Sequence, residues 1–401
     1  MTKKDEQFLN ILASPAAAQR MSRRAFVSGS VVAAFSGGFL LAACGGDEET
    51  PGGTSGATSA TGSTGAPAEL EDQLNFYHWA EYDDPALFKR FTQEFGPSTK
   101  IDVYASNEEA IAKLTAAAGS SGYDIVVPTG VFIPLMVEND LLEELDLSKI
   151  PNFANIEAVY TNQPWDPNNV HSVCKDWGST GWIIDKKQIS TPIATWQDFI
   201  DVGMNEASGN VSVLDAPNEL AGLYFWANGI DWTTEDTADY DAYEAFMVSD
   251  FASHIKAFDS YPGVALTQGN YALSQVWNGD ARQGLNAVDN PDDYEWGLGA
   301  PETELWMDNW CIVKGATHPE AAHAWINFIL DPDNSLQDLE FHGYNTGITG
   351  VKEAAEAAEL PFLDLVFFDE AQVATFRAGA VNSSLDRQVE IYNKIKAAAG
   401  G

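Results

Sequence analysis

Apolar positions recur along this chain in two alternating periods, one of strands and one of helices. Leu74-Asn75-Phe76-Tyr77-His78-Trp79-Ala80-Glu81-Tyr82 is an aromatic and apolar run that predicts a strand ending on an aromatic–acidic–aromatic cluster. Asp84 and Pro85 supply an N-cap and a first helical position, and Gly96 closes the helix they open. Strand signals return at Ile101–Tyr104 and Tyr123–Val127, with helical periodicity from Asn107 to Ala118 between them. A βαβαβ run of this kind predicts a parallel sheet with right-handed crossovers. Ligands of open α/β sheets sit outside the carboxyl ends of the strands. Here those ends are Trp79, Glu81 and Tyr82, then Ser106 and Asn107, then Pro128 and Thr129.

Val173 to Ile184 reads as one long strand crossing into a second lobe, where the alternation repeats. Helices are expected at Trp196–Val202, at Asn218–Asn228 with Gly229 as its stop, and over the longer span Asp239–Ile255. Strands are expected at Val211–Leu214 and at Ala272–Trp277, the latter broken by Asn278-Gly279. A second crossover-type strand, Trp306–Val313, leads into a helix from Pro319 to Leu330, and a last helix spans Leu385–Ala398. The expected division is a first lobe of residues 73–180 and 308–352 and a second of residues 181–307 and 353–401. With 401 residues the chain is long enough for two such cores.

Charge and the N-terminus change the picture. The sequence holds 21 Lys+Arg against 59 Asp+Glu. Such a surface repels nucleic acid and anionic headgroups and attracts cations, although solubility or adaptation to salt explains it equally well. Ser22-Arg23-Arg24-Ala25-Phe26-Val27 is a twin-arginine pattern, followed by an uncharged stretch that ends at Leu41-Ala42-Ala43-Cys44-Gly45. Small residues before a cysteine resemble the bacterial lipobox, so residues 1–43 are expected to be a twin-arginine lipoprotein signal peptide and Cys44 the lipidated residue. A plain membrane-spanning anchor is the alternative, weakened by Ser28, Gly29, Ser30, Ser36, Gly37 and Gly38 within the span. Residues 44–72 are expected to be a flexible tether, too polar to pack.

Familiar catalytic and metal signatures are missing. There is no His-Glu-x-x-His, no cysteine pair at zinc spacing, no phosphate loop and no nucleophile elbow, so neither a cofactor nor a metal is expected. His318 and His323 lie five apart, which does not put them on one helical face, and surface placement is the expectation for both. Aromatic residues do recur beside carboxylates at predicted strand ends: Trp79 with Glu81 and Tyr82, Trp277 with Asp280, and Trp306 with Asp308. Asp215 and Glu219 add acids at the mouth of a helix, where Asp215 is also a candidate cap. Each pairing alone is ordinary core packing beside a solvated acid. Together they suit an aliphatic diamine, whose ammonium groups want buried carboxylates and whose methylenes want flat aromatic walls.

The chain also resembles the bacterial polyamine-binding proteins of ABC importers, the spermidine- and putrescine-binding family. The resemblance rests on Phe76 to Tyr82, Ser106-Asn107-Glu108, Tyr123 to Pro128, Asp146 to Lys149, Trp277-Asn278-Gly279, Met307-Asp308 and Gly343-Tyr344, in that order along the chain. It implies an α/β, two-lobed, type II periplasmic-binding-protein-like fold, hinged by crossover strands. It further implies that Trp79, Tyr82, Trp277, Trp306 and Tyr344 sandwich the methylene chain. Glu81, Glu219 and Asp308 would bind ammonium groups, with Thr129 in place of a hydrogen-bonding serine. Asp280 matches an acid of the putrescine branch, although Arg282 stands close enough in sequence to neutralise it. Ala216 and Val131 depart from the spermidine branch, which has an acid and a tyrosine there.

The resemblance implies an extracytoplasmic solute-binding lipoprotein, not an enzyme, that captures putrescine or spermidine for an ABC permease. It would meet the membrane only through its lipid, bind no nucleic acid and act as a monomer. Alternatives are a receptor for another organic cation or small solute, and an extracellular glycoside hydrolase, whose cleft also uses tryptophans and paired carboxylates. In the resembled fold the two crossover strands run side by side, which makes a Cys174–Cys311 disulfide an expectation, with two buried free thiols as the other.

Overall fold

A computed structural model describes residues 70–400, so the leader, Cys44 and all but the last residues of the tether lie outside the described residues. The first strand, β1 (Gln73–Trp79), is followed by helix α1 (Pro85–Phe95). Asp84 caps α1 by accepting from the Ala86 N–H, and Gly96 at φ 102° terminates it, as the punctuation predicts. β2 (Ser98–Tyr104) and β3 (Ile125–Val126) lie parallel to β1 on either side of it, and α2 (Asn107–Ala117) connects them under a Ser106 cap. After the short helix α3 (Ile133–Glu138), the chain enters β4 (Ser172–Gly178) and, one residue later, β5 (Thr180–Asp185). The predicted single strand is thus broken at Ser179, and its halves join different sheets.

The second sheet has the order β7–β6–β8–β5–β9, with β6 (Val211–Leu214), β7 (Ile255–Asp259), β8 (Leu273–Trp277) and β9 (Tyr294–Leu298). Its helices are α4 (Trp196–Met204), α5 (Pro217–Asn228), α6 (Thr237–Phe246), α7 (Pro262–Thr267) and α8 (Asn278–Ala287). Two predictions fail here. The long helix expected to reach Ile255 is regular only to Phe246, because Ile255–Asp259 pairs in parallel with β6. Asn278-Gly279 is not a break but the first turn of α8; a Cβ on Gly279 would lie 2.3 Å from the Tyr344 ring, so this glycine serves close approach. Asp215 does not cap α5. It instead meets Lys396 at 2.7 Å.

The long strand β10 (Thr303–Ile312) returns to the first sheet, pairing antiparallel with β3 and β4 and parallel with β11 (Phe376–Ala378). Helices α9 (Pro319–Ile329), α10 (Pro332–His342), α11 (Val351–Ala357), α12 (Glu370–Val373) and α13 (Leu385–Ala398) complete the chain. One core layer on the first sheet joins Phe76, Phe91, Trp310 and Trp325, and Val351, Val366 and Phe376 also pack there. Ile391, Tyr392 and Ile395 of α13 pack instead with Phe199, Phe225 and Trp226 of the second lobe.

Cys174 and Cys311 are buried free thiols. The β4–β10 register opposes Cys174 to Asn309 and Cys311 to Ser172, a diagonal relation that puts Cα atoms about 7–8 Å apart, beyond disulfide reach. His323 also departs from expectation. It is buried, with Nδ1 against the Pro319 carbonyl and Nε2 accepting from the Asp146 N–H at 3.0 Å.

Candidate ligand-binding site

The site forms where β10 passes between the lobes. Alternate residues of a strand share one face, so Glu304, Trp306 and Asp308 project together from β10. Asp308 lies opposite Asp176 of β4 and bridges to Thr129, just past β3. Its carboxyl accepts from the Thr129 hydroxyl at 2.7 Å, and Asn107 holds Thr129 in place with a bond in each direction at 3.0 Å. The Tyr82 hydroxyl lies 2.9 Å from Asp308 and 2.5 Å from Asp176, so one hydroxyl hydrogen serves two carboxyls. Burial, with repulsion from Asp176 added, pushes Asp308 up to about 7 against the donors on it.

Aromatic rings surround this carboxyl. Trp306 meets Tyr344 edge-on at 4.7 Å between ring centres, and Tyr344 lies 6.1 Å from Tyr82. Tyr344 donates to Asp280 at 2.6 Å from α8, and burial pushes Asp280 up to about 6. Arg282 does not neutralise Asp280, because its guanidinium is buried on the carbonyls of Pro361 and Glu340. Trp79 at the end of β1 packs edge-on against Tyr104 and donates its indole N–H to the Val127 carbonyl.

A second carboxyl group comes from the other lobe. Glu219 in the first turn of α5 accepts from the Trp277 indole at 2.7 Å and the Thr180 hydroxyl at 2.8 Å. The same hydroxyl lies 3.2 Å from Glu304. Glu219 and Glu304 are 2% and 5% exposed; burial raises both, and the charge of Glu219 pushes Glu304 further up. The space among Thr129, Trp165, Glu304 and Trp306 is only about 10 Å³, room for little more than a water.

Nine of the ten sequence-nominated ligand residues therefore lie in or beside this region, in two groups. Tyr82, Thr129, Trp306, Asp308, Tyr344 and Asp280 form one connected set; Glu219 and Trp277 belong to the second, and Trp79 stands at the margin. Glu81 is apart: it is exposed, at φ 53°, on an open recess of about 450 Å³ with Gln283, Asn286, Glu340 and Phe341. Sequence reasoning missed Glu304, Thr180 and Trp165. Glu304 was open to discovery, since it precedes Trp306 by the same two residues that separate Trp306 from Asp308.

It also missed the charged cluster behind the site. Lys175 of β4 is buried, 2.8 Å from Asp176, 3.4 Å from Asp83 and 3.6 Å from Asp338, with its ammonium 3.8 Å from the centre of the Tyr82 ring. His342 lies 3.5 Å from Asp176 and 3.4 Å from Asp338. Charged residues within a strand ordinarily signal a solvated face, and β4 is buried along its whole length.

Comparison with known proteins agrees with this fold. Residues 86–364 match the family model described as bacterial extracellular solute-binding protein. The spermidine/putrescine-binding periplasmic protein of Escherichia coli K12 is 31% identical over 297 residues, which cover 72% of this chain and 81% of that protein. Among solved structures, the spermidine/putrescine ABC transporter substrate-binding protein PotD of Streptococcus pneumoniae superposes with a TM-score of 0.68 at 26% identity, over 82% of this chain and all of that one. The Tp0655 (TpPotD) lipoprotein of Treponema pallidum does so at 0.71 and 25% identity, over 81% of this chain and 100% of its own.

Proposed function

The chain belongs to the bacterial extracellular solute-binding protein family, with its two-lobed type II fold, and from that premise we propose that it captures putrescine or spermidine for an ABC importer. The observation that carries this reading is a charge deficit. Asp308, Glu219 and Glu304 are buried among aromatic rings, while Lys175, the cation that acts on Asp308, is already engaged with Asp83, Asp176 and Asp338. Buried carboxylates of this kind are costly unless a cation meets them. A ligand bringing ammonium groups on a methylene chain supplies that charge, and Trp306, Tyr344, Tyr82 and Trp277 supply apolar walls and cation–π attraction.

In this reading Asp308 anchors one ammonium, oriented by Thr129 and Tyr82, and Glu219 and Asp280 wait on the second lobe. Closure brings the two sides together and excludes water, and the closed form presents both lobes to the permease. Export by the twin-arginine leader and lipidation at Cys44 would hold the protein outside the cytoplasmic membrane on its 44–72 tether, as a monomer. Among the described residues no helix is long and apolar enough to cross a membrane. Calorimetric titration with putrescine, cadaverine, agmatine, spermidine and spermine tests the assignment: saturable binding of at least one is expected, and heats of dilution for all of them would refute it. Changing Cys44 to Ala should release the protein from the membrane fraction; retention at precursor mass would point to a spanning anchor.

A further inference from the structure

We propose that Glu304 is a specificity-determining residue of the site: with Glu219 and Thr180 it forms a second ammonium subsite, and the row Glu304–Trp306–Asp308 along β10 selects amines charged at both ends. The inference rests on the polyamine reading above and goes beyond it, since that reading places ammonium groups at Asp308, Glu219 and Asp280 and assigns Glu304 no role in choosing between amines.

Three observations carry it. The three side chains occupy alternate positions on one strand face, so a carboxylate, an indole and a carboxylate follow each other along the cleft. Glu304 and Asp308 are four residues apart, which separates their Cα atoms by about 13 Å in an extended strand. That order of charge, apolar surface and charge is the complement of an ammonium, a methylene chain and a second ammonium. Second, Glu304 on the crossover strand β10 and Glu219 in the first turn of α5 converge on the single hydroxyl of Thr180, at 3.2 and 2.8 Å. Third, Glu219 Oε2 is buried and receives no donor among the described residues, so this pair has acceptor capacity that the protein leaves unused. An ammonium has three donors and no acceptor. Placed between the two carboxyls, it would give both the donors they lack. A monoamine held at Asp308 would leave the pair as it is.

The test titrates 1,4-diaminobutane, spermidine and 1-aminobutane into the wild type, Glu304→Gln and Glu304→Asp by calorimetry. Glu304→Gln should weaken both polyamines by about tenfold or more while changing 1-aminobutane by less than about threefold. Glu304→Asp, which keeps the charge with a shorter reach, should fall between wild type and Glu304→Gln and retain a preference for the diamine. It carries the test if the glutamine variant does not fold, and diamine affinity equal to wild type in Glu304→Asp would then overturn the subsite. Diamine affinity unchanged in Glu304→Gln overturns it directly, as does an equal loss for all three amines, which would mean that Glu304 acts only by holding Asp308. Those outcomes leave the polyamine assignment standing. A wild type that binds none of the amines removes that assignment and the subsite with it.

Discussion

Two groups of buried charge lie on adjacent strands, and they are built to opposite ends. Around Lys175 every carboxylate faces a cation: Asp83, Asp176 and Asp338 lie within 3.6 Å of its ammonium or closer, and His342 adds contacts to two of them. Despite a burial that works against its charge, Asp338 is held well below the usual carboxylate range by Lys175 and His342. Across the β4–β10 pairing, the described residues give Asp308 only hydroxyl donors, and give Glu219 and Glu304 an indole and a hydroxyl between them. Both groups bear the desolvation of buried acids. The first meets it from within the chain at Asp176 and Asp338, with Asp83 alone still pushed up by burial, and belongs to the fold, whereas the second leaves it to be met from outside and belongs to the ligand.

The largest effect should come from breaking the first group. Lys175→Met leaves Asp176 and Asp338 buried without their ammonium and should destabilise the protein by about 3–5 kcal/mol in urea unfolding. A change below about 1 kcal/mol would erase the distinction between the groups. Next comes the aromatic wall between the carboxylates. Trp306→Ala should weaken spermidine by about 2 kcal/mol or more through lost apolar contact, with a smaller loss for putrescine, measured by calorimetry.

Acidity separates Asp308 from Asp338 by sign. Asp308 moves from its ordinary value of 3.8 to about 7 on folding, so between those values the folded protein holds a proton the unfolded chain does not. Unliganded stability should therefore fall as pH rises through that window, by at most about 1.4 kcal/mol per unit from this group. Ligand affinity should run the other way, about tenfold weaker a unit below pH 7 than well above it, because the ammonium wants the ionised carboxyl. Asp338, whose folded value is depressed, contributes stability that is present above pH 3.8 and lost as pH falls below it. Thermal melts with and without spermidine across this range check both signs. The smallest effect belongs to the outlier: exposed Glu81, changed to Gln, should alter spermidine affinity by less than about 0.5 kcal/mol in low salt.

What the sequence made legible follows the same division. Helix α1 was readable to the residue because Asp84, Pro85 and Gly96 are local signals that act through their own backbone, whereas the strand expected from Leu74 to Tyr82 ends at Trp79. The end of the 239–255 helix was not, since Ile255–Asp259 becomes a strand only by pairing with β6, a long-range choice that overrides local periodicity. Asn278-Gly279 misled for a related reason: Gly279 answers to Tyr344, 65 residues away in the chain, rather than to a turn. In the site, Trp306 and Asp308 were visible because aromatic and acid alternate at a strand end. Lys175 and Asp176 were invisible, because only the fold shows that their strand is surrounded on all sides.

The central claim, that one buried acidic group serves the fold and the other awaits a cation, is tested most directly at Asp308. Thermal melting of wild type and Asp308→Asn, each with and without saturating spermidine, separates the two roles in one experiment. Without ligand, Asp308→Asn should melt at or above the wild-type temperature, since a buried acid with no cation is gone. The stabilisation that spermidine gives wild type should shrink by about 2 kcal/mol in the variant, as affinity falls by about thirtyfold or more. An unliganded variant that melts well below wild type, yet keeps its full spermidine shift, would make Asp308 part of the fold and contradict the account.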